Sequence, residues 1–132
     1  MKVLIAEDDP TSRLLLEEFL KPFGSVESVA NGEDAVSAAA AALEVGAPFD
    51  LVCLDVMMPL MDGQTALIEI RKHEARHAGA LARPTRVLMT TALRDSRNVM
   101  QAFREQCDGY LVKPIDRAKL IGYLHQLGLV ER

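Results

Sequence analysis

Five short apolar runs, near residues 2–7, 25–30, 50–54, 86–90 and 109–112, alternate along the chain with five stretches of helical periodicity, near 10–21, 33–45, 63–78, 95–106 and 116–127. Parallel strands need a long return connection, and a helix is the usual one. Strict alternation therefore predicts an α/β fold: a doubly wound, five-stranded parallel sheet with right-handed crossovers and helices on both faces. Leu15, Leu16, Phe19 and Leu20 give the first helix an inward face, and Leu120, Leu124 and Leu127 do so for the last. The alanine run 38–42 is helix former and carries no further signal. With 132 residues the chain is expected to be a single domain, 1–132, without room for an output domain after Leu127.

The chemistry sits where the apolar runs stop. Phe49 to Leu54 ends in Asp55 and then in the loop Val56-Met57-Met58-Pro59-Leu60-Met61-Asp62-Gly63. A lone Asp there would be an ordinary turn former. The first run, however, also ends in acids: Glu7, Asp8 and Asp9, followed by Pro10. Pro10 suits the first position of a helix, and Asp9 suits its cap. That leaves Glu7 and Asp8 unexplained, because crowded carboxylates repel unless a cation lies among them. A hard divalent ion with oxygen ligands is the natural guest. The fourth run ends in Thr90-Thr91-Ala92 and the fifth in Lys113-Pro114. Ligands of open parallel sheets bind beyond the carboxyl ends of the strands. Carboxylates, a hydroxyl and an ammonium at four such ends are the parts of a phosphoryl-transfer site.

Glu7-Asp8, Asp55 with its MPxxDG tail, Thr91-Ala92 and Lys113-Pro114 occur in one order and each at a strand end. In this the chain resembles the response-regulator receiver domains of two-component and phosphorelay signalling, the CheY-like fold, from about Lys2 to Leu127. The resemblance implies a strand order of 2-1-3-4-5. It implies a stand-alone response regulator that accepts a phosphoryl group from a phosphohistidine onto Asp55 in a Mg2+-dependent reaction. It implies metal ligation by Glu7 (directly or through water), Asp8, Asp55 and the backbone carbonyl of Met57, with Mn2+ as the alternative ion. Lys113 would neutralise the phosphoryl oxygens, and Thr91, preferred over Thr90 because it directly precedes Ala92, would donate to one of them. Tyr110 would be the switch aromatic, and Lys113–Pro114 a cis peptide. The partner is expected to be a histidine kinase or a histidine phosphotransfer protein. The protein is expected to be a cytoplasmic monomer, with dimerisation on phosphorylation as the alternative, and no enzyme beyond its own phosphorylation and dephosphorylation. Met57 and Leu93 would line the approach of hydrolytic water. The region of Arg94, Arg97 and Arg104 would belong to the output face.

Other functions are weaker. A formal net charge of −4 argues against nucleic-acid binding. No run approaches the roughly 18 apolar residues of a membrane span. Cys53 and Cys107 lack metal-ligand spacing, and Cys53 reads as core. His73-Glu74-Ala75-Arg76-His77 matches the HExxH zinc motif. Its flanks, Arg71, Lys72 and Arg76, are charged, as on a solvated helix end, and no third ligand is evident. Weak incidental binding of Zn2+ or Ni2+ is the most this pair offers. A flavodoxin-like phosphate cradle fails at the first loop, where Glu7, Asp8 and Asp9 repel an unescorted phosphate.

Overall fold

The computed structural model describes residues 1–77, 79, 83–92 and 107–131. Along the chain run β1 (Lys2–Ala6), α1 (Pro10–Leu20), a 3-10 turn (Lys21–Phe23), β2 (Ser25–Val29), α2 (Gly32–Glu44), β3 (Leu51–Asp55) and α3 (Gly63–Arg76). After these come β4 (Arg86–Thr91), β5 (Gly109–Val112) and α4 (Arg117–Gln126). Bounds differ from the sequence expectation by a residue or two. The helix expected near 95–106 lies outside the described residues, together with Leu93, Arg94, Arg97 and Arg104.

The strands form one parallel sheet in the order β2-β1-β3-β4-β5. The order reverses between β1 and β3, and β3, buried along its whole length, is the central strand. Two cores result. On one face Leu4, Val52, Leu54, Val87 and Met89 pack with Ala35, Ala39, Leu67 and Ile70 of α2 and α3. On the other, Ile5, Cys53, Leu88 and Leu111 meet Leu16 and Leu20 of α1 and Leu120 and Leu124 of α4. Each fully buried Leu or Ile contributes roughly 1.5–3 kcal/mol of transfer free energy. Burial also pushes the Cys53 thiol up to about 12, which leaves it an inert core residue.

Each of the four described α-helices starts at a side-chain cap. Asp9 accepts from the Ser12 N–H at 2.9 Å, Asn31 from that of Asp34 at 2.8 Å, Asp62 from that of Thr65 at 2.8 Å and Asp116 from that of Ala118 at 2.8 Å. Such caps are worth about 1 kcal/mol each. They also set where each helix begins relative to the strand before it, and so shape the sheet's carboxyl edge.

The HExxH segment departs from the solvated helix end expected of it. Glu74 is buried: it accepts from the Thr85 N–H at 2.8 Å and from Arg71 Nη1 at 2.6 Å. Arg71 also donates to the Thr85 carbonyl at 2.8 Å and lies 3.7 Å from Asp108. The carboxylate thus ties the end of α3 to the entry of β4. His77 Nδ1 lies 3.0 Å from the His73 carbonyl, and among the described residues no third ligand joins the two histidines.

Candidate functional site

The register of the sheet builds the site. β1 pairs with β3 as Ala6↔Leu54, and β3 with β4 as Asp55↔Thr90. Glu7, one residue past β1, therefore stands beside Asp55 at the edge where strand order reverses. Strands present alternate residues to one face, so Asp55 shares the α1/α4 side with Cys53 and Leu51. Lys113, two residues past Leu111, reaches the same side.

Glu7 is fully buried and Asp55 is 4% exposed, whereas Asp8 is open to solvent. Lys113 Nζ donates to both Glu7 oxygens, at 2.8 and 3.0 Å, and to Asp55 Oδ2 at 3.0 Å. Asp55 Oδ1 accepts a longer bond from the Met57 N–H, 3.3 Å. Arg13 Nη1 donates to the Glu7 backbone carbonyl at 3.0 Å and so joins α1 to the acidic loop.

One ammonium does not balance these acids. Burial, reinforced by a hydrogen bond with Asp55 and opposed by Lys113, pushes the Glu7 carboxyl up to about 7. Lys113 is held above its ordinary value: burial works against its charge, but the bonds to Glu7 and Asp55 outweigh that. Oxygen atoms of Glu7, Asp8 and Asp55 all lie within 4.8 Å of one another. Three hard oxygen donors carrying surplus negative charge, with one side open through Asp8, fit a divalent cation of the Mg2+ type.

The loop beyond Asp55 is held from several sides. Gly63 N–H donates to the Val56 carbonyl at 3.0 Å, and Gly32 N–H to the Met61 carbonyl at 3.0 Å. Leu60 adopts φ 68° within a tight turn in which the Met61 N–H reaches the Pro59 carbonyl at 2.7 Å. A leucine in the left-handed region costs about 1 kcal/mol, which the surrounding hydrogen bonds must offset. Met57 in this loop is 64% exposed.

Glu7, Asp8, Asp55 and Lys113 are thus brought together, and the Lys113–Pro114 peptide is cis. Thr91 stands apart: its hydroxyl donates to the Ala92 carbonyl at 3.2 Å, on the opposite face of β4 from Thr90. Tyr110 is half-buried against the α2/α3 core. Sequence reasoning missed Arg13, whose contact is to a main-chain carbonyl that no residue pattern marks. It also treated Thr90 only as a rival to Thr91.

Comparison with known proteins agrees with this fold. The family model of the response regulator receiver domain matches residues 3–125. The sensor histidine kinase GacS of Pseudomonas protegens is 33% identical over 90% of this chain and 12% of its own length. The transcriptional regulatory protein ResD of Bacillus subtilis is 31% identical over 91% of this chain and 45% of its own. The chain thus spans less than half the length of these curated relatives. Among solved structures, the receiver domain of the sensor histidine kinase PA1611 of Pseudomonas aeruginosa superposes with a TM-score of 0.71 at 29% identity, covering 96% of both chains. That structure has a magnesium ion coordinated in its active-site cleft. The CheX–CheY complex of Borrelia burgdorferi, with BeF3 and Mg2+, gives a TM-score of 0.79 at 28% identity, covering 98% of this chain and 89% of that one. No helix among the described residues is long and apolar enough to cross a membrane.

Proposed function

This chain belongs to the response regulator receiver domain family, and from that premise we propose that Asp55 accepts a phosphoryl group from a phosphohistidine of a histidine kinase or histidine phosphotransfer protein. The observation that carries the reading is the buried trio at the sheet edge: Asp55, Glu7 and a Lys113 that donates to both. A carboxylate is already ionised at neutral pH and needs no general base. An Asp55 oxygen bonds to phosphorus as the P–N bond breaks, and the electron pair returns to the imidazole nitrogen. Lys113 moves its positive charge toward the phosphoryl oxygens, and Thr91 would have to leave the Ala92 carbonyl and move with the end of β4 to donate to one of them.

Glu7, Asp8 and Asp55, with the Met57 carbonyl, would hold Mg2+; Mn2+ satisfies the same donors. When bound, the ion would supply positive charge that offsets the charge of the phosphoryl group. Phosphorylation then acts as a signal through a changed surface, with Tyr110 turning inward as Thr91 moves, rather than as turnover of a separate substrate. Cys53 and Cys107, both unpaired, suit a reducing cytoplasm.

The test is covalent labelling. With phosphoramidate and Mg2+, intact-mass measurement should show one added phosphoryl group that hydroxylamine removes. Asp55→Asn should take no label, and Asp8→Asn should label only at much higher Mg2+. Undiminished labelling of Asp55→Asn would move the acceptor to another residue.

A further inference from the structure

Thr90 is 1% exposed, and its Oγ1 is buried without a hydrogen-bond partner. Buried hydroxyls are nearly always paired, so an orphan in a central strand needs a reason. Its location supplies one. Ladder partners in a parallel sheet point to the same face, and Asp55↔Thr90↔Leu111 form one row. Glu7 and Asp55 on one side, and Lys113 two residues past Leu111 on the other, flank this unpaired hydroxyl.

The donors already in place are fully committed. An ammonium has three hydrogens, and Lys113 directs its three bonds to Glu7 Oε1, Glu7 Oε2 and Asp55 Oδ2. Besides Lys113 and the neighbouring Glu7 carboxyl, Asp55 has among the described residues the long bond from Met57 N–H. When Lys113 turns to phosphoryl oxygens, at least one buried carboxylate oxygen loses its donor. A buried acceptor left in that state is penalised by its full desolvation. The hydroxyl of Thr90, carried by the ladder partner of Asp55, is an unpaired buried donor in the same row.

We propose that Thr90 is a positioning residue for the phosphoryl acceptor, a reserve donor that takes over an Asp55 carboxylate oxygen as Lys113 is drawn to the incoming group. This rests on Asp55 being the acceptor. In the resting state the hydroxyl is a burden; during transfer it keeps the carboxylate oriented and paired.

Three variants test it. Thr90→Val keeps the branched shape and removes the hydroxyl. Thr90→Ser and Thr90→Ala both lose the methyl group and differ only in the hydroxyl, so that pair reads the same group independently. At saturating phosphoramidate, Thr90→Ser should label at the parent rate, while Thr90→Ala and Thr90→Val should label about tenfold more slowly, roughly the effect of one hydrogen bond in the transition state. Mg2+ affinity, followed by calorimetry on unphosphorylated protein, should be unchanged in all three. Thr90→Val should melt at or above the parent temperature, since it removes an unpaired polar atom. Equal rates for Ser and Ala, or a Val variant that melts below the parent, would overturn the inference while leaving the acceptor in place. A parent protein that takes no label removes the acceptor reading first, and this inference with it.

Discussion

Glu7 is fully buried beside Asp55, and the single ammonium of Lys113 cannot neutralise both. Its carboxyl accordingly rises from 4.5 to about 7 in the folded protein. Between those values the native state holds a proton that the unfolded chain has released. The stabilisation from protonated Glu7 is therefore fully present below about pH 4.5 and lost as pH rises through about 7. Glu7→Gln mimics the protonated form at every pH. In the presence of chelator, the melting temperature of the parent relative to Glu7→Gln should fall between about pH 5 and about pH 8. A relative stability that stays flat over that range would mean that Lys113 keeps Glu7 ionised throughout. The same competition predicts that Mg2+ binds the parent more tightly as pH increases, because the ion and the proton seek the same oxygens.

At the scale of elements, β3, which ends in Asp55, and α3 meet without clearance. A Cβ on Gly63 would lie 2.1 Å from the Asp55 carbonyl oxygen and 2.8 Å from its carbon, both main-chain atoms that no side-chain rotation can move. Gly63→Ala must displace either the start of α3 or the end of β3. It should destabilise the fold by about 2 kcal/mol and, by moving Asp55, slow phosphorylation more than the stability loss explains. Parent-rate labelling would show that α3 alone absorbs the shift. At the other end of α3, Glu74→Ala strips the Thr85 N–H and Arg71 of a buried acceptor and should cost about 2 kcal/mol. His77→Ala, whose ring among the described residues bonds to the His73 carbonyl alone, should stay within about 0.5 kcal/mol. Urea melts of the two variants separate these outcomes. This contrast marks the limit of what the chain discloses as text. Strand ends are legible because an acid, a hydroxyl or a lysine after an apolar run has few packing reasons to be there, as Asp55 and Lys113 show. The inward turn of Glu74 was not legible: in a run of Arg71, Lys72, His73 and Arg76 it reads as one more solvated charge. The approach of the Thr85 N–H, from the entry of β4, draws it inward. Thr90 was obscured for a related reason, since a threonine in a strand is ordinary, and its want of a partner exists only in three dimensions.

For the whole molecule, the parallel order β2-β1-β3-β4-β5 places Glu7, Asp55 and Lys113 side by side although 48 and 58 residues of chain separate them. Folding therefore assembles the site and concentrates its charge in the same event, with the caps Asp9 and Asp62 fixing the helix starts on either side. Close carboxylates at that edge oppose the native state, a cost that a cation bound among them would relieve. An ion that binds only the assembled site adds stability by mass action. At a hundredfold excess over its Kd the gain is about 2.7 kcal/mol, which for a domain of this size raises the melting temperature by on the order of 10 °C. Mg2+ should produce that rise, whereas NaCl of equal ionic strength should produce little, because screening acts weakly on buried groups. Asp8→Asn removes the solvent-open ligand while sparing the buried pair. It should leave the metal-free melting temperature at or above the parent's and abolish the Mg2+-dependent rise. If NaCl matched Mg2+ in the parent, the stabilisation would be general screening of an acidic surface. If Asp8→Asn kept the full Mg2+ response, the ion would be held somewhere other than the edge where β1 and β3 meet.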